Sequence, residues 1–170
     1  MKLPSSRAGK MTTRRLVLLA LLGAMLFASQ VVMAALPNVH LVAVLLIVTT
    51  LHFRWQALYT VGVFVLLEGL MYGFSLWWVS YLYTWPVLVV LTVLLGRSDS
   101  PLFWAVIAGI FGLAFGALCA LPYLLVGGWA AAVSYWISGI PFDLIHCVSN
   151  FVFTLILFRP LDRVMTRLEA

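Results

Sequence analysis

Asp143, His146 and Asn150 stand at i, i+3 and i+7 within an apolar stretch, so at about 100° per residue they share one helical face. Trp136 and Gly139 extend that stripe the other way, and Gly139, having no side chain, leaves room beside Asp143 for a ligand or a neighbouring helix. Glu68 with Tyr72 at i+4 forms a second stripe, and Trp78, Tyr81 and Trp85 form a third. His40 follows a Pro37-Asn38 turn, and Pro141 can bend its helix and free a carbonyl towards a cavity. Carboxylates and imidazoles among aromatic rings suit hydrogen bonding and stacking of a polar ring, the usual make-up of a small-molecule site. The same residue types can hold a metal, but a carboxylate and an imidazole three apart are a common coincidence, and no metal or other cofactor is expected. His-Glu-x-x-His, Gly-x-Ser-x-Gly and Walker sequences are all missing, so the chain does not read as an enzyme.

The elements that must position these residues follow from composition. Of 170 residues, 65% are hydrophobic and 9% charged, with a mean hydropathy of +1.14. A soluble domain carries about 25% charged residues, so a water-soluble fold is excluded. Polar breaks and prolines divide the chain into six apolar segments, 16–36, 41–53, 57–76, 77–95, 102–126 and 132–158. Most approach the ~20 residues that cross a bilayer. The second is too short to span alone and reads as tilted, irregular or packed among its neighbours. Turns are expected at Pro37-Asn38, Arg54, Gly73-Phe74-Ser75, residues 97–101 and Gly127-Gly128. The expected fold is all-α: a polytopic membrane protein of about six helices, with a basic tail at 1–15, a transmembrane domain at 16–158 and a second basic tail at 159–170. The first segment has no convincing cleavage site and reads as a retained helix.

Lys and Arg near helix ends stay on the cytoplasmic side. With six crossings all ten fall on one side: Lys2, Arg7, Lys10, Arg14, Arg15, Arg54, Arg97, Arg159, Arg163 and Arg167. Both termini are then cytoplasmic, and the net charge of +5 serves insertion and anionic lipid rather than nucleic acid. His40, Glu68, Asp143 and His146 fall in the outer half. A charge near the bilayer centre costs about 2.5–3.5 kcal/mol, which makes such residues functional candidates by default.

Plainer readings stand beside these. Trp77, Trp78, Trp129 and Tyr135 fit an interfacial aromatic belt. Glu68, Asp143 and His146 fit an interhelical network that only fixes packing. His52, beside Phe53-Arg54, reads as an interfacial residue, and Cys119 and Cys147 as buried free thiols. Small residues recur as Ala20, Ala24 and Ala28, as Gly69 and Gly73, and as Gly109, Gly112 and Gly116. Such spacing lets helices approach closely. The glycines read as internal packing, and the alanines as a flat face for a partner.

Taken together, the chain resembles the substrate-binding S component of energy-coupling factor (ECF) vitamin transporters. The likeness rests on small size, about six helices with both ends inside, the Ala-x-x-x-Ala element at Ala20 and Ala24, the loop Leu36-Pro37-Asn38-Val39-His40, and Pro141-Phe142-Asp143-Leu144-Ile145-His146 with Asn150. The resemblance implies that a vitamin or related micronutrient is enclosed at the outer side. It also implies a transmembrane coupling subunit and two ATPase subunits as partners, with ATP hydrolysed outside this chain. On that view Asn38, His40, Glu68, Asp143, His146 and Asn150 orient polar ligand groups. Tyr72, Trp78, Tyr81 and Trp85 stack on a ring, and the face of Ala20, Ala24 and Ala28 meets the coupling subunit. The nickel and cobalt branch of the family uses a His close to the amino terminus, whereas this chain begins Met1-Lys2-Leu3, which argues against a metal substrate. A non-catalytic scaffold of a wall-elongation complex, and an ion-coupled carrier or small intramembrane enzyme, are the competing classes.

Overall fold

A computed structural model describes residues 10–96 and 98–169; Lys2, Arg7 and Arg97 of the expected basic set lie outside the described residues. The order is α1 (Thr13–Val32), α2 (Val42–Phe53), a 3-10 turn (Arg54–Gln56), α3 (Ala57–Tyr72), α4 (Leu76–Leu95) and α5 (Pro101–Glu169). Local chemistry sets the boundaries. Thr12 Oγ1 accepts from Arg15 N at 3.3 Å to cap α1. Pro101 opens α5, where a missing N–H costs nothing, and Ser100 Oγ accepts from Phe103 N at 3.3 Å. Arg54 ends α2 with φ +54, and Gly73 ends α3 with φ +91, a conformation that favours glycine. Gly73 is therefore a cap and not, as its spacing from Gly69 implied, a helix-packing residue.

Four stretches are long and apolar enough to cross a membrane: Thr13–Val32, Val42–Tyr72, Leu76–Leu95 and Pro101–Leu168. The chain is thus all-α with the character of a multi-pass membrane protein, and the expected count of six is corrected to four. The expected second and third segments are joined through the 3-10 turn at Arg54, and the fifth and sixth through Gly127-Gly128. Gly127 (φ −140°, ψ 17°) and Gly128 (φ 66°, ψ −163°) depart from helical geometry, the latter in a region open essentially to glycine alone. α5 doubles back there. Tyr123 stacks on Tyr135 with centroids 4.2 Å apart, and Asn150 Nδ2 donates to Ala108 O at 3.3 Å, so residues 101–126 and 129–169 run antiparallel. Pro141 lies within helical backbone and produces no such break. The helix continues through the basic stretch from Arg159 to Glu169.

α2 occupies the centre, and all twelve of its residues are buried. That burial resolves its shortness in favour of packing among neighbours. α4 and α5 pack against it, while α1 packs mainly on α3. There a Cβ at Gly23 would come within 2.7 Å of Thr60 O and 2.8 Å of Val63 Cβ, and Thr60 Oγ1 donates to Leu19 O at 3.0 Å. Gly109, Gly112 and Gly116 bring the two parts of α5 together: a Cβ at Gly112 would stand 2.8 Å from His146 C and O. Large aliphatic side chains point outward, to the extreme of Leu125 at 92% exposure, as lipid rather than water requires.

The described Lys and Arg residues gather at one end. Arg14 Nη2 donates to Leu168 O at 3.2 Å and Arg15 Nη1 to Gln56 Oε1 at 3.5 Å, which brings the starts of α1 and α3 beside the end of α5. His52 Nε2 meets Asp162 Oδ1 at 3.0 Å at the same end. His52 is buried, so its reading as an interfacial residue gives way to that of a structural partner.

Candidate ligand-binding cavity

At the opposite end the loop between α1 and α2 folds over the helix ends. Asn38 adopts φ +56, a conformation Asn tolerates better than most residues. It is tied to α5 twice: Asn38 Nδ2 donates to Phe142 O at 3.1 Å, and Ser149 Oγ donates to Asn38 O at 2.9 Å. This anchoring buries His40, whose ring centroid lies 4.7 Å from that of His146 and 5.9 Å from that of Trp85. Burial pushes the His40 imidazole down to about 4, so near neutral pH it is an uncharged donor and acceptor.

Two cavities open beneath this loop. The first, about 430 Å³, is lined by Gln30, Asn38, His40, Glu68, Tyr72 and His146 among others. The second, about 460 Å³, is lined by Gly116, Cys119, Tyr135, Ser138, Gly139 and Asp143. Asn38, Trp77, Tyr81 and Phe115 belong to both, so the two are lobes of one site separated by a mostly aromatic partition.

The polar atoms of this site have few protein partners. Among the described residues none is found for Gln30 Oε1, His40 Nδ1, Glu68 Oε1, Asp143 Oδ2 or either ring nitrogen of His146. A buried polar atom left unpaired costs about 1–3 kcal/mol, so a fold that concentrates several on one cavity needs partners from outside the chain. Asp143 is divided in its work. Its Oδ1 accepts from Gly116 N at 2.9 Å, fixing the carboxylate between the two parts of α5, while Oδ2 is left over.

The helical stripes separate once packed. Asn38, His40, Glu68, Tyr72, Tyr81, Asp143 and His146 line the lobes. Trp78, Trp85 and Asn150 line neither. Trp78 Nε1 donates to Val65 O at 2.8 Å and braces α4 on α3. Trp85 is fully buried beneath the partition, 5.7 Å from Tyr81 and 5.4 Å from Phe115 between centroids. Asn150 is buried in its contact with Ala108, and Trp136 at the far end of its stripe is exposed. Ala20 and Ala24 are half-buried and Ala28 is exposed on α1, away from both lobes. The lining residues that sequence reasoning missed include Gln30, Phe115 and Ser138; Trp77 and Tyr135 were read as interfacial aromatics. Gln30 had a usable signal, as a lone amide in an apolar helix. Phe115 had none, being one aromatic residue among many in an apolar run.

No group of three or more His, Cys, Asp or Glu that could hold a metal occurs among the described residues, and Cys119 and Cys147 are free. What the arrangement can do is stack a ring on Trp77, Tyr81 or Phe115 and meet its polar edge with imidazole, amide and carboxylate. No protein-family model, curated protein or solved structure matches this chain.

Proposed function

We propose that the protein is the membrane-embedded substrate-binding subunit of an ECF-type transporter, capturing a vitamin or related micronutrient outside the cell for uptake driven by separate ATPase subunits. The observation that carries this reading is the two-lobed cavity, several of whose buried polar atoms lack protein partners among the described residues, at the end of the helices opposite the described Lys and Arg residues. The positive-inside rule then turns the basic end to the cytoplasm and the cavity to the exterior of a bacterial plasma membrane. Both ends of the chain lie on the cytoplasmic side. α1, with Ala20, Ala24 and Ala28 along its length, is the surface assigned to the coupling subunit.

The chain contains seven Trp, of which Trp77 lines both lobes, so intrinsic fluorescence reports on occupancy. Titration of the purified, folded, ligand-free protein with a panel of water-soluble vitamins and their precursors should give saturable quenching by one compound at submicromolar concentration. A flat response to the whole panel would overturn the reading. Ala24→Trp should leave that binding intact while blocking assembly with the coupling subunit.

A further inference from the structure

The charge inventory of the cavity narrows the ligand, and this step rests on the binding-subunit reading. Each lobe contributes one buried carboxylate: Glu68, 1% exposed, in the first and Asp143, 3% exposed, in the second. Each has one oxygen without a protein partner among the described residues. No described Lys or Arg lines either lobe. The described basic residues lie beyond the far end of α2, whose twelve residues rise about 18 Å. His40 supplies no charge near neutral pH, since burial holds its imidazole uncharged.

An anionic ligand would therefore be desolvated beside two carboxylates with no cation to meet it. The starts of α2 and α4 lie at this end, and a helix N-terminus favours an anion, but only by about 0.3–1 kcal/mol. A like charge in a poorly solvated site costs several kcal/mol, so an anion opposes ionisation of the two acids whereas a cation favours their charged, accepting form. The partition adds to this, because Trp77, Tyr81 and Phe115 present aromatic rings to both lobes, and an aromatic face attracts a cation and stacks on a planar ring.

We infer that the cavity takes a nitrogen-rich heteroaromatic ligand that carries a protonated amine or amidine and spans the partition to present N–H donors to Glu68 and Asp143 together. Carboxylates and phosphates of similar size are rejected. The first lobe, with Gln30 Oε1 and the imidazoles of His40 and His146, reads a ring edge of mixed donors and acceptors. The second, with the single carboxylate of Asp143 and Gly139 in its lining, takes an N–H-bearing group.

The test is a fluorescence titration of the full chain in lipid nanodiscs with compounds sorted by charge: thiamine, pyridoxamine and an aminomethyl deazapurine against biotin, nicotinate, pantothenate and 4-pyridoxate. Saturable binding should be confined to the first group. Glu68→Gln and Asp143→Asn should each weaken the bound cation about tenfold or more, as loss of a charge-assisted hydrogen bond requires. Glu68→Gln keeps the test usable should Asp143→Asn disturb the Gly116 contact. Tightest binding of an anion, or cation affinity unmoved in both variants, would overturn this inference and leave the binding-subunit reading standing. Failure of the folded protein to bind any compound would overturn both.

Discussion

The two ends of the helix bundle use the same side chains to opposite effect. At the basic end an imidazole meets a carboxylate directly, His52 Nε2 against Asp162 Oδ1 at 3.0 Å, and Arg14 and Arg15 are tied to the backbone and side chain of other elements. At the cavity end His40 and His146 stand ring to ring at 4.7 Å, and His40 Nδ1, both nitrogens of His146 and one oxygen of Glu68 have no protein partner among the described residues. The first arrangement satisfies its polar groups internally and holds three helices together. The second withholds that satisfaction, which costs stability and is sensible only where something else supplies it. The number of buried polar residues does not distinguish structure from site here; the gathering of unpartnered polar atoms on one cavity does.

The contrast can be broken at several points. The largest effect is expected where the second part of α5 is clamped behind the site. Gly112→Val would press a side chain onto His146 C and O, 2.8 Å from the new Cβ, and backbone cannot yield as a side chain can. Overpacking costs about 1–3 kcal/mol in ordinary cores, and this contact belongs at or above the top of that range. Folded yield and melting temperature should both collapse, whereas Gly62→Val, with nothing within 4 Å, should melt normally. Next, His52→Ala strands Asp162 and should lower stability by about 2 kcal/mol in denaturant or thermal melts, with ligand affinity unchanged. Glu68→Gln should do the reverse, weakening ligand about tenfold (about 1.4 kcal/mol) while the melting temperature holds or rises. Equal behaviour of these two variants would erase the distinction between the ends.

The smallest effect, over the range from pH 7 to 6, is a dependence on pH. His40 titrates near 6.5 when unfolded and near 4 when folded, so below 6.5 the unfolded chain binds a proton that the folded one refuses. Its contribution makes stability fall as pH drops from about 6.5 to about 4, then level off. Between pH 7 and 6 this amounts to less than about 1 kcal/mol. The slope should disappear in His40→Gln; an unchanged slope would place the titration elsewhere.

Much of this arrangement is legible in the sequence because apolar runs and charges are strong signals. The apolar segments, the turn at Gly127-Gly128 and the gathering of the described Arg residues at one end follow from them. So does the shared burial of Asp143, His146 and Asn150. The neighbouring pair Trp77 and Trp78 marks where legibility stops. The first lines both lobes and the second braces Val65 O. α4 is apolar on nearly every side, so no periodicity tells which face turns inward. His52 and Asp162 lie 110 residues apart, and nothing local to either announces the pairing. The count of spans differs because neighbouring apolar runs are joined into longer stretches, through the 3-10 turn at Arg54–Gln56 and through Gly127-Gly128, and the runs themselves do not show which interruptions separate them.

α2 has a consequence for how the protein is made. It leaves the ribosome after α1, is too short to span, and is enclosed by α4 and α5, which are synthesised after it. It cannot come to rest as it emerges from the translocon, because its covering surfaces do not yet exist. Its sheath is completed only when the last helix turns back at Gly127-Gly128, so the segment inserted early is the last to be enclosed. A nascent chain stalled before that turn would offer a bare central helix to membrane chaperones and proteases.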